Sequence, residues 1–258
     1  MNLATASYCF SGVLKREWWR FLQQRSRLVS ALVRPLLWLL VFAAGFRAAL
    51  GIAIIPPYET YITYEVYIVP GLVGIILLFN GMQSSLSMVY DREMGSMKVL
   101  LTSPLPRPYL LLCKLLASSL ISMLQVYAFL AIAACFEITM PLTGYLWLFP
   151  AALLGALMLT SLGLLLSSLI RQLENFAGVM NFVVFPMFFL SSALYPLWRM
   201  RESSEFLYYV SLVNPFTHAV ELARFALYGS LNSLALTVTL AVTGVLLIGA
   251  IISYESRY

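Results

Sequence analysis

Apolar residues run through this chain in blocks long enough to cross a bilayer, and most of the charge is confined to the joints between them. Against a span length of about 20 residues, six blocks stand out, at 28–48, 64–89, 108–135, 145–170, 175–197 and 232–254. Arg34-Pro35 interrupts the first close to its start, where an arginine reaches the headgroups and a proline costs few hydrogen bonds. It therefore counts as a span. No internal repeat or low-complexity linker divides the chain, so the pattern predicts one all-α membrane domain with six transmembrane helices.

Three polar stretches break this pattern. The first, VLKREWWRFLQQRSRLV, sets Leu14, Trp18, Phe21, Leu22 and Leu28 near one helical face and Lys15, Arg16, Arg20 and Arg27 elsewhere. It predicts an N-terminal amphipathic interfacial helix over 1–27, its tryptophans at headgroup depth and its cations toward anionic membrane lipids.

The second stretch spans residues 90–107. Met94, Met97, Leu100 and Leu101 recur at three-to-four residue spacing, with Asp91, Arg92, Glu93 and Lys98 on other faces. A short amphipathic helix over 91–104 follows, with Asp91 and Glu93 at the positive end of its dipole. Ser103-Pro104 stops it, and Pro106 and Pro108 stiffen the connection onward.

The third, residues 198–229, is too charged to cross as one helix yet rich in Phe206, Tyr208, Tyr209, Phe216, Phe225 and Tyr228. It predicts an outer re-entrant helical hairpin of two short helices, broken at Asn214-Pro215. Such a hairpin can close the outer end of a pathway. Glu221 and Arg224, three apart, can pair on one helical face.

Composition agrees with the pattern: 61% hydrophobic and 10% charged residues contrast with a charged fraction of about 25% in soluble domains. A chain of 258 residues has room for the spans and no sizeable soluble domain, so an ATP-binding or catalytic domain is expected on another chain. The first apolar run is too long and too late for a cleaved signal peptide. Cys9, Cys113 and Cys135 are odd in number and show no paired spacing, and they read as packing residues.

Charge sets the orientation. With the N-terminus inside, twelve lysines and arginines fall on the inner side and four, Arg47, Arg199, Arg201 and Arg224, on the outer. Basic loops stay cytoplasmic, so both termini are expected there, and the net charge of +5 marks a membrane face, not a nucleic-acid surface.

Candidate chemistry is sparse. His218 is the only histidine, without clustered ligands, so no metal site is expected. No base stands beside a serine nucleophile, which argues against an intramembrane hydrolase. No glycine precedes a lysine, so the chain lacks a Gly-x-x-x-x-Gly-Lys phosphate loop. Tyr58, Tyr61, Tyr64 and Tyr67 recur every third residue toward the second span, as an interfacial belt or a sugar-stacking stripe. Tyr64, Tyr67, Asn80, Asn181 and Phe185 are candidates for lining a pathway. Gln83, Gln125 and Asn175 read as partners in interhelical hydrogen bonds, which explain Asn80 and Asn181 equally well. Phe185-Pro186-Met187 can kink the fifth span. An ion-gradient-driven transporter is the alternative, but Glu65 and Glu137 lie near outer ends and no carboxylate sits mid-span.

The segment REMGSMKVLLTSPLPRPYLLLCKLL resembles the first cytoplasmic loop of ABC-2 type permeases, in its acidic residue, Gly-Ser pair, leucine pair and Ser-Pro. The later SALYPLW and YYVSLVNPFTHAVELARFALYG are similar to that family's Pro-Leu-Trp, Asn-Pro-Phe-Thr and Glu-x-x-Arg pattern. The order of these motifs along six spans covers nearly the whole chain as a single transmembrane domain, 1–258.

The resemblance implies that 91–104 is a cytoplasmic coupling helix docked on an ATPase. Arg92, Glu93, Gly95, Ser96, Leu100, Leu101 and Pro104 would transmit its motion. It implies a non-catalytic membrane subunit working as two copies with two ABC ATP-binding subunits, which carry ATP and Mg. Export of a lipid-like, glycan or drug-like substrate across a bacterial inner membrane follows as the expected function.

Overall fold

The computed structural model of the chain describes residues 3–23, 25–46, 56–58, 62–95, 106–170 and 172–255. The described residues form ten α-helices and no β-strand: α1 Leu3–Gln23, α2 Arg25–Phe46, α3 Tyr64–Glu93, α4 Arg107–Cys135, α5 Leu142–Leu169, α6 Leu173–Phe189, α7 Leu197–Ser203, α8 Glu205–Val213, α9 Pro215–Leu227 and α10 Ser233–Glu255. Four of these, α3, α4, α5 and α10, are long and apolar enough to cross a membrane. The other two expected spans are represented by shorter apolar stretches, Leu32–Val41 within α2 and the 17-residue α6.

α3 is the axis of the fold. Its apolar window is 83% buried, against 17% for that of α10, and it packs against α2, α4, α5, α6 and α9. A helix apolar on all sides belongs inside a bundle, and Ile68, Val69, Leu72, Val73 and Leu78 are fully enclosed. At 30 residues it is about 45 Å long, against a hydrocarbon core of about 30 Å, so both ends reach the headgroup region.

Small residues bring α3 and α5 together. A Cβ on Gly81 would lie 2.9 Å from the Leu159 carbonyl, and one on Gly163 would lie 2.9 Å from the Gly81 carbonyl oxygen. In a bilayer, where water drives no association between spans, such close backbone contact supplies the packing energy.

Three expectations about boundaries change. Asp91, Arg92 and Glu93 close the last turn of α3 instead of opening a separate loop helix; the carboxylates therefore sit at the negative end of a dipole and need partners. The remainder of the expected coupling helix, with Ser96, Leu100, Leu101 and Pro104, lies outside the described residues. The helix expected over 175–197 stops at Phe189. Beyond it, the carbonyls of Ser192 and Leu194 accept tyrosine hydroxyls and the Ser191 hydroxyl accepts from the Ala193 N–H, so tertiary bonds replace helical ones.

The segment 198–229 forms three short helices, divided at Ser204 and Asn214. At the second break the Asn214 side chain accepts from the Phe216 N–H at 3.0 Å and donates to the carbonyls of Met187 and Leu190. It caps α9, with Pro215 in the first turn, and ties that helix to the end of α6.

Gly81→Val is expected to cost about 1–3 kcal/mol through overpacking at the crossing. Gly178→Ala, in the interior of α6 where the added methyl meets nothing within 4 Å, should instead stabilise by up to about 1 kcal/mol through helix propensity. Thermal unfolding of both variants in detergent checks the contrast.

Candidate functional site

At the Glu93 end of α3, the end expected from the charge distribution to be the inner one, three consecutive side chains bind three different parts of the bundle. Asp91, buried, receives two hydrogen bonds from the Arg20 guanidinium of α1, at 2.6 and 3.2 Å. This forked geometry is the strong form of the arginine–carboxylate pair. Lys114 of α4, also buried, lies 3.8 Å from the same carboxylate and donates to Ser87 Oγ at 3.1 Å. The Asp91 hydrogen bond, and its charge together with that of Glu17, raise the Arg20 pKa above its ordinary value despite partial burial.

The next two residues cap neighbouring helices. Arg92 donates to the carbonyls of Ser167 and Ile170, at 2.9 and 2.6 Å, where α5 ends with acceptors that have no helical partner. Glu93 Oε1 accepts from the Leu173 N–H at 2.8 Å, at the start of α6. A cation at a helix C-terminus and a carboxylate at an N-terminus both suit the local dipoles. Gly95, with φ +72°, then turns the chain away in the left-handed conformation that commonly ends a helix. Thus Asp91, Arg92 and Glu93 join α3 to α1, α4 and the α5–α6 turn, immediately before the 96–105 segment.

The Tyr64 end of α3, outer by the same expectation, is held by a second cluster. Arg224 of α9 is buried, pairs with Glu221, donates to the Ser192 carbonyl at 2.8 Å and sits 4.1 Å from the Tyr67 ring centroid. The Tyr67 hydroxyl donates to the same Ser192 carbonyl at 2.9 Å, and Tyr64 donates to Leu194 at 3.0 Å. Tyr58 packs edge-on against Tyr228 and tilted against Tyr67. Counter-charge, carbonyl and aromatic face together enclose a cation that could not be buried alone.

The five pathway candidates are placed on different sides of the protomer. Tyr64 and Tyr67 are inside the outer cluster, and Asn80 donates to Gln125 between α3 and α4. Asn181 and Phe185 are exposed on α6, beside Phe182 and Phe189. His218 is buried with a ring nitrogen 2.9 Å from the Leu212 carbonyl oxygen, which is a packing role. Among the described residues no cluster of three potential metal ligands occurs.

Sequence reasoning missed Arg20 and Lys114 as partners of Asp91. The available signal was Lys114 itself, a cation seven residues inside an apolar block, since such a charge needs a partner.

A profile of the ABC-2 type transporter family matches residues 8–228, a stretch that contains both clusters. The chain belongs to that family. It is 28% identical over 217 residues to the putative transport permease ycf38 of Cyanophora paradoxa, covering 80% of this chain and 70% of that protein. The ycf38 protein of Pyropia yezoensis is 29% identical over 214 residues, covering 80% and 68%. The probable multidrug ABC transporter permease YbhR of Escherichia coli K12 is 29% identical over 170 residues, covering 65% of this chain but 45% of YbhR. ABC-2 permeases are typically non-catalytic membrane subunits that work with an ATP-binding subunit.

Glu221→Gln leaves the buried Arg224 cation without its counter-charge, a loss of about 3–5 kcal/mol. The double variant Glu221→Gln/Arg224→Leu removes the uncompensated charge as well, and its unfolding midpoint in detergent is expected to lie above that of Glu221→Gln alone.

Proposed function

We propose that this chain is the six-span permease of an ABC exporter, with α2 and α6 completing the set of spans and both termini in the cytoplasm. The observation that carries this reading is the pair of clusters at the two ends of α3. A single buried helix joins the segment leading into 96–105 to the short outer helices α7–α9, the layout needed to carry a push from one side of a membrane to the other.

In this reading two copies of the permease work with two ATP-binding subunits, which hold ATP and Mg. The exposed Phe182, Phe185 and Phe189 of α6 support packing against a second copy, because three phenylalanines three and four residues apart on one helix make a continuous apolar face. ATP binding draws the ATPases together and loads the 91–104 segment. The load passes through Asp91, Arg92 and Glu93 into α1, α4, α5 and α6, and along α3 to the Arg224 cluster. There, movement of α7–α9 opens the outer end around Asn214, Pro215, Glu221 and Arg224.

The substrate class is a lipid-like, glycan or drug-like molecule, and the likeness to YbhR, a probable multidrug ABC transporter permease, supports the last of these. A bacterial inner membrane fits the inward concentration of basic residues.

Affinity purification of the tagged full chain from native membranes in mild detergent tests this function. A Walker-motif ATPase is expected at one copy per permease. A homo-oligomer without any ATPase, in gentle detergents and lipid nanodiscs alike, would overturn the reading and favour an ion-gradient mechanism.

A further inference from the structure

A cavity of about 20 Å³ lies between α1, α3 and α4. Its walls include Glu17 of α1, Asn80 and Ser84 of α3, and Ser118, Ser122 and Gln125 of α4, with Phe21 and Ile121 as the apolar lining residues. Asn80 and Gln125 each lie eleven residues along their helices from Asp91 and Lys114, about 16 Å at the helical rise. The cavity therefore occupies a polar seam running from the inner ion cluster to roughly the middle of the bilayer.

Two facts point to an occupant. Ser84 Oγ is buried and has no hydrogen-bond partner among the described residues. The hydroxyls of Ser118 and Ser122 already donate to the carbonyls of Leu115 and Ser118, so what they offer the cavity is acceptor capacity. A donor with no acceptor and acceptors with no donor, around a space of one water, are the conditions under which internal water is bound; apolar cavities of similar origin stay dry. A metal cation is disfavoured by Arg20, which also lines the space and carries a fixed positive charge.

We propose that this cavity is a water-binding site, and that α1 is the lid which seals a hydrated seam between α3 and α4 from the cytoplasmic face. The Arg20–Asp91 pair is the latch. Glu17 and Arg20 of α1 cover polar groups here, so lifting it exposes mostly surface that water accepts, with the Phe21 ring as the apolar part that resists the movement. The inference rests on the orientation proposed above, with α1 on the cytoplasmic side of membrane-spanning α3 and α4, and it stands apart from the direction or substrate of transport.

The sign of one substitution tests the water. In a dry cavity Ser84→Ala deletes an unsatisfied hydroxyl and raises the unfolding midpoint. With bound water it removes a water ligand, and a fall of at least about 2 °C is expected in the purified full chain. An unchanged or raised midpoint overturns the water site.

The lid is tested with Ser84→Cys in a background where Cys9, Cys113 and Cys135 are alanine, using a small neutral methanethiosulfonate as the probe so that loss of the Arg20 charge does not itself change the rate. Modification should be slow in that background and at least about tenfold faster when Arg20→Ala is added, the change expected when a latch worth about 1.4 kcal/mol is lost. An equal rate with and without Arg20 overturns the lid.

Discussion

Each polar group that α3 carries into the bilayer has to find its partner within the protein or in water the protein encloses, because hydrocarbon offers none. That constraint organises the rest of the structure. Asp91 draws Arg20 and Lys114 to one point; Arg92 and Glu93 finish the ends of α5 and α6; Tyr64 and Tyr67 fix the carbonyls after α6; and Asn80 pairs with Gln125. The apolar residues between these points make α3 central, but they are interchangeable in a way the polar ones are not.

Two clusters at opposite ends of one continuous helix have a mechanical consequence. A helix about 45 Å long fastened at both ends cannot shift far at one end without loading the other, and Pro70, inside it near Tyr67, is the point where it can bend. The fastenings differ in kind. The inner one is built from helix caps and from ion pairs among Arg20, Asp91 and Lys114, the last two of which are buried. The outer one buries a full cation against a tyrosine ring and a carbonyl, and is costly to open.

Much of the architecture was legible in the sequence because a bilayer imposes a length. The blocks at 64–89, 108–135, 145–170 and 232–254 correspond to α3, α4, α5 and α10 within a few residues. The motif order identified the family from the same stretch that the family profile matches. The end of α6 was not legible: residues 190–197 are apolar enough to continue the span, and it is Tyr64, Tyr67 and Arg224, far away in the chain, that take their carbonyls. The Asp91–Arg20 pair was hidden for the same reason, with partners 71 residues apart. Periodicity reports which face of a helix is buried, but it cannot report which distant side chain meets that face.

The central claim, that the inner end of α3 passes nucleotide-driven motion to the outer helices, is tested most directly by an environment-sensitive fluorophore on Phe206→Cys. Phe206 is exposed on α8, and the measurement uses the permease assembled with its ATPase, the native cysteines having been replaced. The account predicts that ATP shifts the emission, and that Arg92→Ala abolishes the shift while the complex still assembles. An ATP-induced shift that persists unchanged in the Arg92→Ala complex would contradict it.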